Sequence, residues 1–368
     1  MNKRVFAQRL LDWYHENQRF LPWRETRDPY RIWLSEIILQ QTRVAQGLPY
    51  YQKFIEAFPS IHHLAAAPEQ KVLRLWQGLG YYSRARNLHA CAQRVVHDFG
   101  GTFPSTYTLL LDLPGIGPYT AAAIASISFG EPVAVVDGNV FRVLARVFGR
   151  EDDITRPAAK ATFTRLANEL LASEPPDLFN QALMEFGALQ CTPKAPKCPE
   201  CPLVKNCEAF RQQRVHEFPV KSKKAAVRHR YLSYIVFAHA EKVLMRPRTD
   251  KDIWRGLYEF HLVETKTKRS ASAIIKASGL PLGPAVVVSK PVSYQHLLSH
   301  QRLHIQLIRV KLTTAGQAQR IQQKVGGNFF SPRQVEHLPK PIIIHQYLQD
   351  SKRAASQKLV ILPPVRGG

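Results

Sequence analysis

Glu36 lies in WLSEIILQQT, a run that reads as helix. At 3.6 residues per turn its neighbours one turn away are Ile32, Trp33, Leu39 and Gln40, three of them large and apolar. A carboxyl kept from water in such company holds its proton to higher pH than an ordinary glutamate and is suited to act as a general acid. Asp137 has the opposite setting. In VVDGNVFRVLARVF it stands immediately before a helix whose Val140, Val143, Leu144 and Val147 share one side. Aspartate is a preferred N-cap, and capping alone would account for it. The cap nevertheless favours the charged form, through helix N–H groups and the dipole, so Asp137 is expected to stay ionised. Two carboxyls whose settings push their proton affinities apart make an acid and an anion, the division of labour that glycosidic bond cleavage needs.

Cys191, Cys198, Cys201 and Cys207 form a second constellation, spaced C-x6-C-x2-C-x5-C, while Cys91 stands apart as a small buried hydrophobe. Four clustered cysteines point to a metal. Zinc sites usually offer two short Cys pairs, and this loop has one; an iron–sulfur cluster accepts a tighter, irregular set of four thiolates. The spacing favours the cluster, with zinc as the alternative. Prolines at 193, 196, 199 and 202 leave no room for a helix, and Lys194, Lys197 and Lys205 suggest a face turned to phosphate. A third feature is the turn Leu113-Pro-Gly-Ile-Gly117, which joins two helices, the second opening at Pro118. Gly115 and Gly117 allow a tight turn and close approach, and the free N–H groups of the following helix start make an anion site that grips phosphate without reading sequence.

The elements that must position these residues are helical up to about residue 210: Val5–Asn17, Tyr30–Gln41, Tyr50–Phe58, Pro68–Gln77, Ala85–Phe99, Tyr107–Asp112, Pro118–Phe129, Gly138–Phe148, Ala159–Ala172 and Phe179–Leu189, with Pro or Gly in most gaps. Residues 211 to 230 carry seven Lys and Arg against one acid, which predicts a solvated linker over 211–229. Strand-like runs then follow (YLSYIVFAH, EKVLMRP, GLYEFHLVE, AVVVSKPVSY, LHIQLIRVKL), with helices at ASAIIKAS and IIIHQYLQD. The expected organisation is a helical catalytic region over 1–210 containing the cysteine loop 191–207, an α+β domain over 230–350, and a short loose tail over 351–368.

The chain has 368 residues, more than one core usually serves, and 51 Lys and Arg against 28 Asp and Glu, a formal charge of +23. That excess attracts polyanions, nucleic acid first and an anionic membrane surface second. No run approaches the roughly 18 apolar residues of a spanning helix, and MNKRVFAQRLLDWYHENQRF reads as an amphipathic helix rather than a signal peptide. A cytoplasmic protein is expected, a reducing setting in which structural disulfides are not.

The combination LPWR, WLSEIILQQT, GLGYYSRARNLH, LPGIGPYTAAAI, VDGNVFRVLAR and the four-cysteine loop resembles the helix-hairpin-helix DNA glycosylases, in the forms of the branch that removes adenine mispaired with 8-oxoguanine or guanine. The resemblance covers 1 to about 210 and continues more weakly beyond. It implies an α-helical helix-hairpin-helix glycosylase region with an iron–sulfur cluster loop, plus a C-terminal α+β Nudix-like domain. It also implies that Glu36 protonates N7 of a flipped-out adenine, that Asp137 stabilises or transiently bonds the deoxyribose cation, and that Asn139 and Tyr119 line the pocket. Tyr119 stands where related bifunctional endonuclease III enzymes carry a lysine; a phenol forms no Schiff base, so a monofunctional enzyme leaving an abasic site is expected. Gln41 and Tyr81 match residues that probe the duplex beside the lesion. The four cysteines match ligands of a [4Fe–4S] cluster. Ser299 and His300 match a Phe-Ser-His turn that reads 8-oxoguanine, with Leu298 in place of the phenylalanine. After Gly256 comes LYEFHLVETKTKRSAS, with no Glu-rich helix, so no diphosphate hydrolysis is expected. The implied partner is double-stranded DNA, met by a monomer.

Overall fold

The computed structural model describes residues 2–172, 174–222, 227–282 and 286–357. The chain divides into two compact units: Met1–Ala67 with Asn87–Lys224, and Pro68–Arg86 with Ala225–Gly368. Residues 68–86, expected in the helical region, therefore group with the C-terminal unit. The reason is long-range: Arg86 Nη1 donates to the Arg255 carbonyl at 2.7 Å and Arg74 Nε to that of Glu336 at 3.1 Å.

Among the described residues twelve α-helices run up to residue 211: α1 (Lys3–Asn17), α2 (Pro29–Leu39), α3 (Val44–Ala57), α4 (Ile61–Ala66), α5 (Glu69–Leu75), α6 (Ser83–Phe99, which crosses the division), α7 (Tyr107–Leu111), α8 (Pro118–Phe129), α9 (Gly138–Phe148), α10 (Pro157–Leu171), α11 (Pro176–Leu189) and α12 (Glu208–Arg211). Local chemistry sets many ends. Asp28 caps α2, Thr106 caps α7, and Gly130 and Gly149 close α8 and α9 in the left-handed conformation. α3 begins six residues before the expected Tyr50 and carries Pro49 inside it. Proline costs an interior helical bond, but α3 also presses against α2: a Cβ on Gly47 would stand 2.7 Å from Leu39 Cδ2. The core of this unit is built from α1, α9, α10 and α11 around Phe6, Leu144, Phe163, Phe179 and Phe186.

Two expectations are corrected here. The cysteine loop carries a short 3-10 turn, Val204–Asn206. The stretch after Cys207 is pinned at one point although most of its described residues are exposed: Phe218 is 2% exposed and belongs to the core, and Arg146 donates to the carbonyls of Val215 and Phe218. Lys223 and Lys224 lie outside the described residues.

The second unit is a mixed eight-stranded sheet. Its strands are β1 (Arg228–His239), β2 (Lys242–Pro247), β3 (Tyr258–Glu259), β4 (His261–Thr265), β5 (Val286–Val288), β6 (Val292–Leu297), β7 (Gln301–Leu312) and β8 (Asn328–Phe330). β1 and β7 pair in parallel, from Arg228 opposite Gln301 to Ala238 opposite Lys311. The expected strand at GLYEFHLVE is two, since β3 pairs with β2 and β4 with β1. AVVVSKPVSY also splits, and Pro291 sits in the gap. Helices α13 (Ala271–Ala277) and α14 (Ala315–Val325) add Ile274, Ala318 and Ile321 to the apolar cluster on the sheet. α15 (Pro332–His337) and α16 (Ile342–Gln357) follow. α16 runs through the first seven residues of the expected loose tail; 358–368 lie outside the described residues. Among the described residues no helix is long and apolar enough to cross a membrane.

Candidate active site

α2 carries Glu36 on its inner side, with Ile32 and Trp33 buried one turn away, and leaves it 8% exposed. α8 is buried from Thr120 to Ile127, apart from its ends, and its first turn delivers Tyr119. The Tyr119 hydroxyl donates to Glu36 Oε2 at 2.5 Å and approaches Met184 Sδ of α11 at 3.6 Å. Among the described residues that phenol is the one hydrogen-bond donor to the Glu36 carboxyl. Burial therefore dominates and lifts Glu36 from 4.5 to about 7, with Asp137 adding repulsion and Tyr119 and Arg24 pulling down. Burial also raises the Tyr119 phenol, so it stays protonated and keeps donating.

Asp137 caps α9. Its Oδ1 accepts from the N–H groups of Asn139 and Val140, both at 2.8 Å, and its Oδ2 from Asn139 Nδ2 at 2.8 Å. Burial nonetheless raises this carboxyl above its ordinary range, so the cap does not depress it as expected. Three donors reach Asp137 against one at Glu36, and each of them favours the charged form. Glu36, Tyr119, Asp137 and Asn139 thus share one neighbourhood: Asp137 repels charge on both Glu36 and Tyr119.

Several residues of this site were not singled out from sequence. Arg142, one turn into α9, donates to Asn139 Oδ1 at 2.8 Å, to the Gly187 carbonyl at 2.6 Å and to the Cys191 carbonyl at 2.7 Å. Arg146, four residues on, reaches the Thr192 carbonyl at 2.7 Å and Cys191 Sγ at 3.4 Å. Two arginines spaced i, i+4 beside a long apolar stripe were the available signal. Gly187 lets α11 come against α9, since a Cβ there would stand 2.6 Å from Asn139 Cβ. Glu185, 1% exposed, receives Arg19 (2.7 Å to Nε, 2.5 Å to Nη2) and Arg24 (3.0 and 2.9 Å), which hold it down at about 2.

The four loop cysteines face one cavity with Arg146, Phe186 and Val204, and among the described residues no carboxylate or imidazole lines it. Among the described residues no three His, Cys, Asp or Glu side chains are grouped to hold a single ion. Four sulfurs around a shared space, with a guanidinium donating to one of them, are a donor set that fits a group larger than an ion.

At the hairpin, Gly115 needs its glycine: φ is +75° and a Cβ would stand 2.6 Å from Asn87 Cβ. Gly117 is extended, with open space where a Cβ would go, so the protein's own packing does not demand it. Among the described residues the N–H groups of Gly117, Tyr119 and Thr120 have no hydrogen-bond partner, which leaves donors for an anion.

Gln41 and Tyr81 both lie in the left-handed region, at φ 55° and 47°, and both are exposed. For residues with a Cβ that conformation costs roughly 1–2 kcal/mol, and such strain gathers where a side chain must be presented. In the second unit the hydroxyls of Tyr81 and Ser299 are hydrogen-bonded. With Trp254, Leu298, His300 and Gln301 they line a cavity of about 240 Å³. Among the described residues no hydrogen bond or ion pair joins Gln41 to the carboxyl pair.

Residues 34–169 match the family described as HhH-GPD superfamily base excision DNA repair protein, and residues 233–350 match the NUDIX domain. The adenine DNA glycosylase of Buchnera aphidicola from Acyrthosiphon pisum is 33% identical over 344 residues, covering 93% of this chain and 97% of the relative. The adenine DNA glycosylase of Mus musculus is 34% identical over 367 residues, covering 84% and 71%. A solved thermostable thymine-DNA glycosylase superposes with a TM-score of 0.53 at 33% identity, over 57% of this chain and 97% of that one. The chain belongs to the adenine DNA glycosylase (MutY) family, base excision repair enzymes that act on DNA and cut its N-glycosyl bonds.

Proposed function

We propose that this enzyme excises adenine mispaired with 8-oxoguanine or guanine, is monofunctional, and uses Glu36 as acid and Asp137 as the compensating anion. A base stacked in a duplex cannot reach a buried carboxyl, so the adenine must first be extruded. Glu36 then gives its proton to N7. The C1′–N9 electron pair leaves with the base, and the positive charge at the sugar is met by Asp137, held in place by Asn139. A water adds its hydroxide to C1′, and its remaining proton returns to Glu36, giving free adenine and an abasic site. Tyr119 orients Glu36 and supplies no amine for a sugar adduct. The observation that carries this reading is the buried Glu36 carboxyl, hydrogen-bonded by one neutral phenol and raised to about 7.

Cys191, Cys198, Cys201 and Cys207 would hold a [4Fe–4S] cluster, which when bound ties the loop into a fixed surface for DNA docking. Gly115 and Gly117 and the open helix start grip phosphate; Gln41 and Tyr81 probe the duplex; Ser299 and His300 read the base opposite the adenine. The enzyme is taken to act as a monomer in the cytoplasm.

The test is a panel of duplexes carrying adenine opposite 8-oxoguanine, guanine and thymine, with products resolved before and after alkali. Excision opposite 8-oxoguanine and guanine, with strand breaks only after alkali, is expected. Breaks without alkali, together with a borohydride-trapped adduct, would contradict the monofunctional reading. The same preparation should be brown and absorb near about 400 nm, as thiolate-ligated iron does. A colourless, zinc-loaded, active protein would remove the cluster.

A further inference from the structure

The sheet of the second unit has one face in two parts. Ile235 and Phe237 of β1, with Ile308 and Val310 of β7, lie beneath α13 and α14 in the apolar cluster. Further back along the same strands the helices stop and the residue types change. Tyr231 pairs with His304 and Ser233 with Gln306 between β1 and β7, and β6 adds Gln295 opposite His304 and Ser293 opposite Gln306. Side chains paired across strands share a face. These six surround an open cavity of about 230 Å³, whose rim is completed by Lys268, Arg269 and Tyr294.

The rings are ordered. His304 stacks on Tyr231, 4.7 Å apart at 12°, and meets His229 edge to edge through a ring-nitrogen hydrogen bond of 3.0 Å. The cavity is lined by both rings of the stacked pair, Tyr231 and His304, and not by His229. A flat ring entering there against Tyr231 becomes the third in the stack. The loop that brings the two cations is held in place: Gln306 Nε2 donates to Ser233 Oγ at 2.8 Å and to the Arg269 carbonyl at 3.1 Å. Among the described residues no carboxylate lines the space. Stacking surface, two cations, amide and hydroxyl donors and no opposing anion are the chemistry that recognises a base with its phosphate. The volume suits one nucleotide rather than a strand.

We propose that this cavity is a binding site for a free mononucleotide, its base stacked on Tyr231 and its phosphate on Lys268 and Arg269. It is separate from the turn at Ser299 and from the carboxyl pair, and it needs no hydrolysis.

The experiment is calorimetric titration of the full-length protein with dGMP, deoxyguanosine and inorganic phosphate, alongside a single-stranded hexanucleotide. Saturable binding of dGMP is expected, at least tenfold weaker when base or phosphate is missing. Tyr231→Leu and the exposed double variant Lys268→Glu/Arg269→Glu should each weaken dGMP at least tenfold while single-turnover excision from an adenine-mispaired duplex keeps the parental rate. Phosphate binding as well as dGMP, dGMP affinity untouched by the double variant, or capture of the hexanucleotide but not dGMP through these residues would each overturn the site. The excision assay reports on the carboxyl pair independently, so a failure there is distinguishable.

Discussion

Glu36 and Glu185 are two glutamates of one helical unit, 8% and 1% exposed, and they titrate in opposite directions, to about 7 and about 2. Burial pushes both upward. The difference is what reaches the carboxyl. Glu185 takes five hydrogen bonds from the backbone and guanidinium of Arg19 and the guanidinium of Arg24, none longer than 3.0 Å. Glu36 takes one, from a neutral phenol. A buried acid is therefore not itself a sign of chemistry: cations turn it into a clamp, and their absence from bonding distance turns it into a proton store.

The largest expected effect is at Glu36. Glu36→Gln should lower single-turnover adenine excision by at least about a thousandfold, near the upper range for losing a general acid, while binding of a lesion duplex persists. In the parent, excision should fall as pH rises through about 7, because the proton is lost there. The same residue is a stability liability. Its folded state binds a proton more tightly than its unfolded state, so its contribution is whole below pH 4.5 and declines as pH climbs to about 7. At 1.36 kcal/mol per unit, Glu36→Gln should gain about 3 kcal/mol at pH 8, with the gain vanishing near pH 4.5 by denaturant titration. Parental excision by the variant would break the contrast.

Glu185→Gln should do the reverse. Its depressed carboxyl stabilises the fold above about pH 4.5 and loses that as pH falls toward about 2. Removing the charge leaves two arginines facing a neutral amide. The cost should be about 2–3 kcal/mol at pH 7 by denaturant titration, below the full value of the shift because the Arg19 side chain is 36% exposed. An unchanged midpoint would mean that the clamp is not what holds these segments.

The smallest effect sharpens the first. Tyr119→Phe removes the donor that holds Glu36 down, so the alkaline limb of the excision profile should move to higher pH, with a loss at the optimum of less than about tenfold. A limb moved to lower pH would mean that Tyr119 does not donate to the acid.

How much of this was legible follows the range of the interactions. α8 and α9 begin and end where the sequence put them, because Pro118, Asp137, Gly130 and Gly149 are local signals. The apolar surroundings of Glu36 were legible too, being one turn away. The start of α3 was misplaced because Pro49 reads as a boundary, while the packing of Gly47 against Leu39 that overrides it is tertiary. Glu185 gave no signal. In ALMEFG it looks like any helical acid, and its partners lie 166 and 161 residues earlier. Asp137 was half legible: its cap was in the sequence, whereas the burial that raises it was not. The linker misled because its charges are local and Phe218, which anchors it, is a single residue among them.

The most direct measurement is the protonation of Glu36 itself. Carboxyl-labelled glutamate, followed by carbon NMR across pH 4 to 9 in the parent and in Glu36→Gln, isolates one resonance. With Glu36 as the acid, the resonance missing from the variant titrates near 7. A resonance titrating near 4.5, the ordinary glutamate value, would mean that Glu36 carries no proton at neutral pH and cannot be the acid.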